Sequence, residues 1–183
     1  MQRLFIGIPV DNRSQRKINE ILKPIKVSNP DIRWVAEANR HLTLAFLGNI
    51  PDPQVETLRR YFEKTYRGCL QFNYRFTRLT RFPRANSGII ALTGEANTAV
   101  EHLFRVTRRF LQKHEVGFDS KGFRPHVTLG RIKARKNVNT SFLQTMEMSL
   151  AVDKVRLYQS RLTESGSIYT TLEETRLCEP YEL

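Results

Sequence analysis

The sequence carries one pattern twice. Strand-like segments starting at residues 4, 41 and about 70 recur at 89, 126 and about 155, an offset near 85 throughout. A repeat of this kind constrains the fold more than any composition, because both halves must build the same arrangement. The first half predicts a strand at Leu4–Pro9 and an amphipathic helix from about Ser14 that Pro24 stops. An apolar strand His41–Phe46 follows, then a helix with Asp52 as N-cap and Pro53 in its first turn, running to about Tyr66. A strand Leu70–Thr77 alternates Phe72, Tyr74 and Phe76 with polar residues. The second half predicts a strand Ile89–Leu92, a helix Thr98–Lys113, a strand His126–Ile132, a short helix Ser141–Met148 and a strand from about Leu150 to Leu157. Extra strands near Leu79–Phe82 and Ser167–Leu172 keep the offset. The expected fold is α+β: two similar β-α-β-α-β lobes related by a pseudo-twofold, with mixed or antiparallel sheets facing a central cleft. Without a Gly/Ser linker, residues 1–183 are expected to form a single bilobal domain, with the repeat dividing near 85.

The repeat places two tetrapeptides in register, His41-Leu42-Thr43-Leu44 and His126-Val127-Thr128-Leu129. Side chains alternate along a strand, so His41 and Thr43 share one face while Leu42 and Leu44 turn to the core. The same holds for His126 and Thr128. A pseudo-twofold then gathers two imidazoles and two hydroxyls around one cleft. Imidazole titrates near pH ~6.5, so one ring can act as base while its protonated mate acts as acid. Threonine hydroxyls can donate to non-bridging phosphate oxygens. The set suits in-line attack on a phosphodiester with one histidine on each side of phosphorus. No Cys, Asp or Glu stands beside either histidine at a ligand spacing, so neither a metal nor another cofactor is expected. No nucleophile-elbow motif supports a serine triad.

Charge suggests a partner class and nothing more, since a solubility or nucleotide-composition effect accounts for it equally. The formal net charge is +12, with 21 Arg and 9 Lys. Residues 1–91 carry +9, residues 92–148 carry +5 and the last 35 carry −2. The planar fork of arginine suits phosphate oxygens, and such a field attracts an anion such as RNA. Leu4–Val10 is too short to span a bilayer and is followed at once by Asp-Asn-Arg, so neither a membrane anchor nor a signal peptide is expected. Cys69 and Cys178 fit no disulfide framework or zinc ribbon. The expectation is a cytoplasmic protein.

The two tetrapeptides resemble the paired H-x-T/S-x motifs of the 2H phosphoesterases. More narrowly, the chain is similar to the RNA 2′,3′-cyclic phosphodiesterases, long called 2′-5′ RNA ligases. The resemblance includes Arg3-Leu4-Phe5-Ile6-Gly7-Ile8, the run His41–Gly48, the run Phe123–Arg131, and the ending from Leu162-Thr163 through Ile168-Tyr169 to Leu172. It implies a bilobal fold and hydrolysis of a 2′,3′-cyclic end to a 2′-phosphomonoester, with His41 as proton donor and His126 as proton acceptor. The repeat alone leaves those two roles open. The implied partner is RNA with 2′,3′-cyclic ends, such as tRNA halves or small cyclic nucleotides, met by a monomer.

Two alternatives use the same features. An ATP-independent ligase would join tRNA halves by a 2′-5′ bond at the same site, and a non-catalytic RNA-binding module would use the charge without the histidines. Further candidates are Arg131, a phosphate contact or a surface arginine, which strand parity puts opposite His126 and Thr128 unless the strand ends or bulges first, and Phe123, which could stack on a terminal base or pack in the core. Arg75, Arg78, Arg81 and Arg84, interleaved with Phe76 and Phe82, could line an RNA track or form a solvated strand face. His102 and His114 are expected on the surface.

Overall fold

The computed structural model describes residues 1–95, 97–119, 122–133, 138–164 and 166–179. The fold is a mixed α+β fold. The chain runs β1 (Gln2–Pro9), α1 (Asn12–Ser28), β2 (Ile32–Trp34), a 3₁₀ turn (Glu37–Asn39), β3 (His41–Ile50), α2 (Asp52–Tyr66), β4 (Phe72–Phe82) and β5 (Ile89–Gly94). It continues through α3 (Thr98–Lys113), β6 (His126–Ile132), β7 (Gln144–Val152), β8 (Lys154–Thr163) and β9 (Gly166–Arg176).

All nine strands belong to one curled antiparallel sheet in the order β7-β4-β5-β6-β3-β1-β8-β9, with β2 paired to β6. The order has the same logic from either end, because β6-β5-β4 mirrors β3-β1-β8. The two arms join through one residue pair, Leu42 with Val127, 85 positions apart and both fully buried. The fourth strand of each half crosses over. β4 pairs with β5 of the second half, and β8 pairs with β1 of the first. Each spatial arm is therefore built from both halves of the sequence.

Five local expectations change. Pro24 does not stop α1, which runs to Ser28 because Ile18, Leu22 and Ile25 form a buried stripe on both sides of the proline. That burial, at about 1.5–3 kcal/mol per large apolar side chain, offsets the roughly 3 kcal/mol an interior proline costs. Asp52 is the first residue of α2 rather than its cap. Its carboxylate instead accepts from the Gln2 amide at 3.0 Å and faces the N-terminal ammonium at 3.6 Å. The helix expected at Ser141–Met148 is β7, which buries Met148, Leu150 and Val152 at a period of two against β4. Helix-favouring side chains there yield to a long-range pairing, so among the described residues the second half has no counterpart of α2. The strand expected at Leu150–Leu157 is accordingly the end of β7 and the start of β8. Leu70–Thr77 and Leu79–Phe82 are likewise one strand, β4, with a register shift between Phe76 and Arg78.

Helix α1 also closes the outer edge of β7. Asp11 accepts the Ala151 N–H, Ser14 donates to the Ser149 carbonyl at 2.9 Å, and Lys17 donates to the Glu147 carbonyl at 3.0 Å. Those bonds satisfy edge groups that would otherwise be open to another strand. Between α2 and α3 the buried Tyr66 hydroxyl pairs with Thr107 at 2.9 Å.

Candidate active site

The Leu42–Val127 pair fixes the site. In an antiparallel ladder centred there, His41 stands toward Thr128 and Thr43 toward His126, all on the face opposite the buried Leu42 and Val127. The four residues singled out by the repeat are brought together.

Each imidazole is held the same way. His41 Nδ1–H donates to the Asn39 carbonyl at 2.7 Å, and His126 Nδ1–H donates to the Arg124 carbonyl at 2.8 Å. A carbonyl can only accept, so each Nδ1 carries the hydrogen and leaves Nε2 for chemistry. Behind His41, the buried Arg40 guanidinium bonds Gln15 Oε1 at 2.8 Å, Asn19 Oδ1 at 2.9 Å and the Val35 carbonyl at 3.3 Å, which pins the entry to β3.

The surroundings of the two rings differ. His41 lies 4.5 Å from Phe5, 5.4 Å from Tyr169 and 5.9 Å from Tyr158, centroid to centroid. Burial among these rings pushes its pKa down to about 4, the Asn39 carbonyl pulls the other way, and the charge of His126 lowers it further. His126 stacks on Phe82 at 3.9 Å. Its pKa is lowered as well, by burial first, with the Arg124 carbonyl opposing and the Arg131 charge adding.

Matching bulges follow both motifs. Thr43 pairs with Gly7 but Ala45 with Ile6, and Thr128 pairs with Ala91 but Gly130 with Ile90. Leu44 and Leu129 are thus the extra residues, and each reverses the facing of the residues after it. Phe46 and Arg131, again 85 apart, become exposed. The parity that would have turned Arg131 away from His126 is cancelled, in keeping with the pull of its charge on that ring. Arg33 of β2 stands opposite Arg131 in the ladder.

A cleft of about 400 Å³ opens beside His126 and Thr43, walled by Phe46, Phe82, Pro83, Phe104, Phe123 and Arg124. Phe123 is in this wall, stacked on Phe104 at 4.3 Å. The interleaved arginine stretch is divided: Phe76 is core, Phe82 serves His126, and Arg75 pairs with Glu147 of β7. His114 is not simply a surface residue, because its ring stacks on Tyr61 at 4.8 Å. Among the described residues, no group of three or more His, Cys, Asp or Glu is arranged to hold a metal ion. No helix among them is long and apolar enough to cross a membrane.

Sequence reasoning missed Phe5, Tyr158 and Tyr169 around His41, and Phe46 and Arg124 in the cleft wall. Phe46 could have been found from the offset, as the mate of Arg131. Tyr158 and Tyr169 could not, because β8 and β9 reach His41 through pairings that no local pattern specifies.

Comparison with known proteins gives the family and the fold. Residues 8–91 match the model of the LigT-like phosphoesterases. A Thermotoga maritima protein named RNA 2′,3′-cyclic phosphodiesterase is 30% identical over 176 residues, covering 94% of this chain and 94% of the relative. The chain belongs to the LigT-like phosphoesterase family. Proteins of known structure share the fold: one from Thermus thermophilus superposes with a TM-score of 0.78 at 24% identity, over 96% of this chain and 97% of its own. Escherichia coli LigT complexed with 3′-AMP gives 0.76 at 23% identity, over 96% and 98%. As a LigT-like phosphoesterase, the chain is an enzyme whose two H-x-T strands meet at the cleft.

Proposed function

We propose that this enzyme opens RNA 2′,3′-cyclic phosphate ends to 2′-phosphomonoesters with two histidines and no metal. The observation that carries the reading is the Leu42–Val127 pairing, which sets both motifs side by side with both Nε2 atoms available. The naming of the Thermotoga relative as an RNA 2′,3′-cyclic phosphodiesterase supports the substrate class.

In this mechanism His126 Nε2 removes a proton from water, and the water oxygen attacks phosphorus. The bond to the 3′-oxygen breaks, and His41 Nε2–H supplies that oxygen with its proton. The product carries a 2′-phosphate and a 3′-hydroxyl, and proton exchange with solvent restores both rings. Thr43 and Thr128 hold the non-bridging oxygens, Arg131 lends charge to the phosphate, and Phe123 offers a ring to the terminal base.

Burial makes both imidazoles favour the neutral form. An anion within about 4–6 Å favours the charged form, so the bound phosphodiester itself loads His41. Low intrinsic basicity then makes the loaded His41 a stronger acid toward the departing oxygen. Binding is therefore expected to take up a proton.

The test is an oligoribonucleotide ending in a 2′,3′-cyclic phosphate, incubated with excess EDTA. Turnover is expected to continue undiminished, with the phosphate on the 2′-oxygen. Activity lost to EDTA and restored by a divalent ion overturns the two-histidine mechanism. A 3′-phosphate product reverses the geometry assigned to His41.

A further inference from the structure

Helices α2 and α3 enclose a second groove, of about 310 Å³, outside the active cleft. Its residues recur at helical spacing on facing sides, from Tyr61 to Thr65 on α2 and from Val106 to His114 around α3. Val106 and the buried Phe110 form the floor. Lys64, Arg109 and Lys113 form the rim, and none of the eight lining residues is acidic. The glutamates of α2 are committed elsewhere, Glu56 to Arg59 at 3.6 Å and Glu63 to Arg67 at 4.0 Å. Among the described residues no carboxylate pairs with the three rim cations.

One end of the groove is aromatic. The His114 ring stacks on Tyr61 at 4.8 Å and 18°, with the Phe110 ring edge-on to it at 5.2 Å. A solvated helix face intersperses acids with its bases. Three cations over an apolar floor, ending in a flat ring pair, make instead a surface complementary to phosphates and a base.

Helix α3 links this groove to the cleft. Phe104 stands in the cleft wall, and Arg108 lies over the Phe104 and Phe118 rings at 5.5 and 5.3 Å. A helix is about 10–12 Å across, so a strand leaving the cleft over α3 needs only a few nucleotides to reach the far side.

We propose that the α2–α3 groove is a second subsite for the same RNA, holding phosphodiesters on the 5′ side of the cyclic end. Lys64, Arg109 and Lys113 contact the phosphates, and the Tyr61–His114 pair takes a base. The inference rests on the RNA reading above, and its test separates the two.

The triple variant K64Q/R109Q/K113Q is compared with wild type on two substrates: a nucleoside 2′,3′-cyclic monophosphate and an oligoribonucleotide of about ten nucleotides with a cyclic end. Binding of a fluorescent 3′-hydroxyl oligoribonucleotide of the same length is followed by anisotropy against salt. The expected result is a KM for the long substrate raised ~10-fold at unchanged kcat, and a logarithmic salt slope reduced by ~2, since each phosphate contact on a single strand contributes about 0.7. Mononucleotide turnover, which also reports correct folding, stays as in wild type. A long-substrate KM and salt slope equal to wild type overturn the groove. Equal losses on both substrates overturn it too, because the change would then lie in the cleft. Should wild type turn over neither substrate, the hydrolase reading fails while anisotropy still decides the groove.

Discussion

His41 leans on Gly7 with three aromatic rings about it, whereas His126 has Ala91 at the matching position, one stacked ring, Phe82, and the charge of Arg131. The strands beneath them are near copies, with the same bulge after the same Thr-Leu and the same carbonyl bond to Nδ1. Duplication supplies two equivalent Nε2 atoms, and the neighbours make them unequal. A residue built at Gly7 would put its Cβ 3.0 Å from the Leu42 carbonyl oxygen and 3.3 Å from His41 Cδ2. His41 is thus seated so close to β1 that a side chain at Gly7 would make its ring give by a few tenths of an ångström, and burial takes its pKa to about 4.

The largest test of the asymmetry removes each ring. His41→Ala and His126→Ala are each expected to lower turnover of a cyclic-ended oligoribonucleotide at least ~100-fold, the usual scale for a positioned acid or base. They should differ in pH profile: with the roles proposed above, losing His126 removes the acidic limb, and losing His41 removes the basic limb. Limbs lost in the opposite order would exchange the roles, and near-normal turnover by either variant would refute the pair.

A milder intervention exchanges the supports. Gly7→Ala is expected to cut kcat ~10-fold, the scale of one lost charged hydrogen bond, by lifting the His41 ring. The reciprocal Ala91→Gly should leave the pH profile of His126 in place and cost about 0.5–1 kcal/mol of stability through strand flexibility alone, measured by denaturant unfolding. Equal kinetic effects from both changes would show that the two histidines are seated alike.

The smallest expected effect is that of Arg131→Gln. Its positive charge lowers the His126 pKa, so removing it raises that pKa and leaves less neutral base at a given low pH. The acidic limb of kcat/KM is therefore expected to move to higher pH, with a few-fold loss at neutral pH. A limb that stays put, or moves down, would disconnect Arg131 from His126.

Much of this is legible in the sequence. The helix Thr98–Lys113 and the strand His126–Ile132 lie where periodicity puts them, because each has a buried face that repeats along its own length. The pairing of His41-x-Thr43 with His126-x-Thr128 was legible for the same reason, since alternation commits each His and Thr to one face. Ser141–Met148 misled because its composition favours a helix in isolation, while the pairing of β7 with β4, more than sixty residues away, decides the outcome.

What the sequence alone determined, then, is which residues are equivalent: an offset of 85 assigns His41 to His126, Thr43 to Thr128 and Phe46 to Arg131. What only the tertiary structure decided is what each of them faces. The exchange of β4 and β8 between arms brings Phe82 to His126 and Tyr158 to His41, and the bulges at Leu44 and Leu129 turn Phe46 and Arg131 outward. Register and bulge are properties of two strands together, fixed when distant segments compete to bury their apolar faces, and a local pattern records only one side of that pairing.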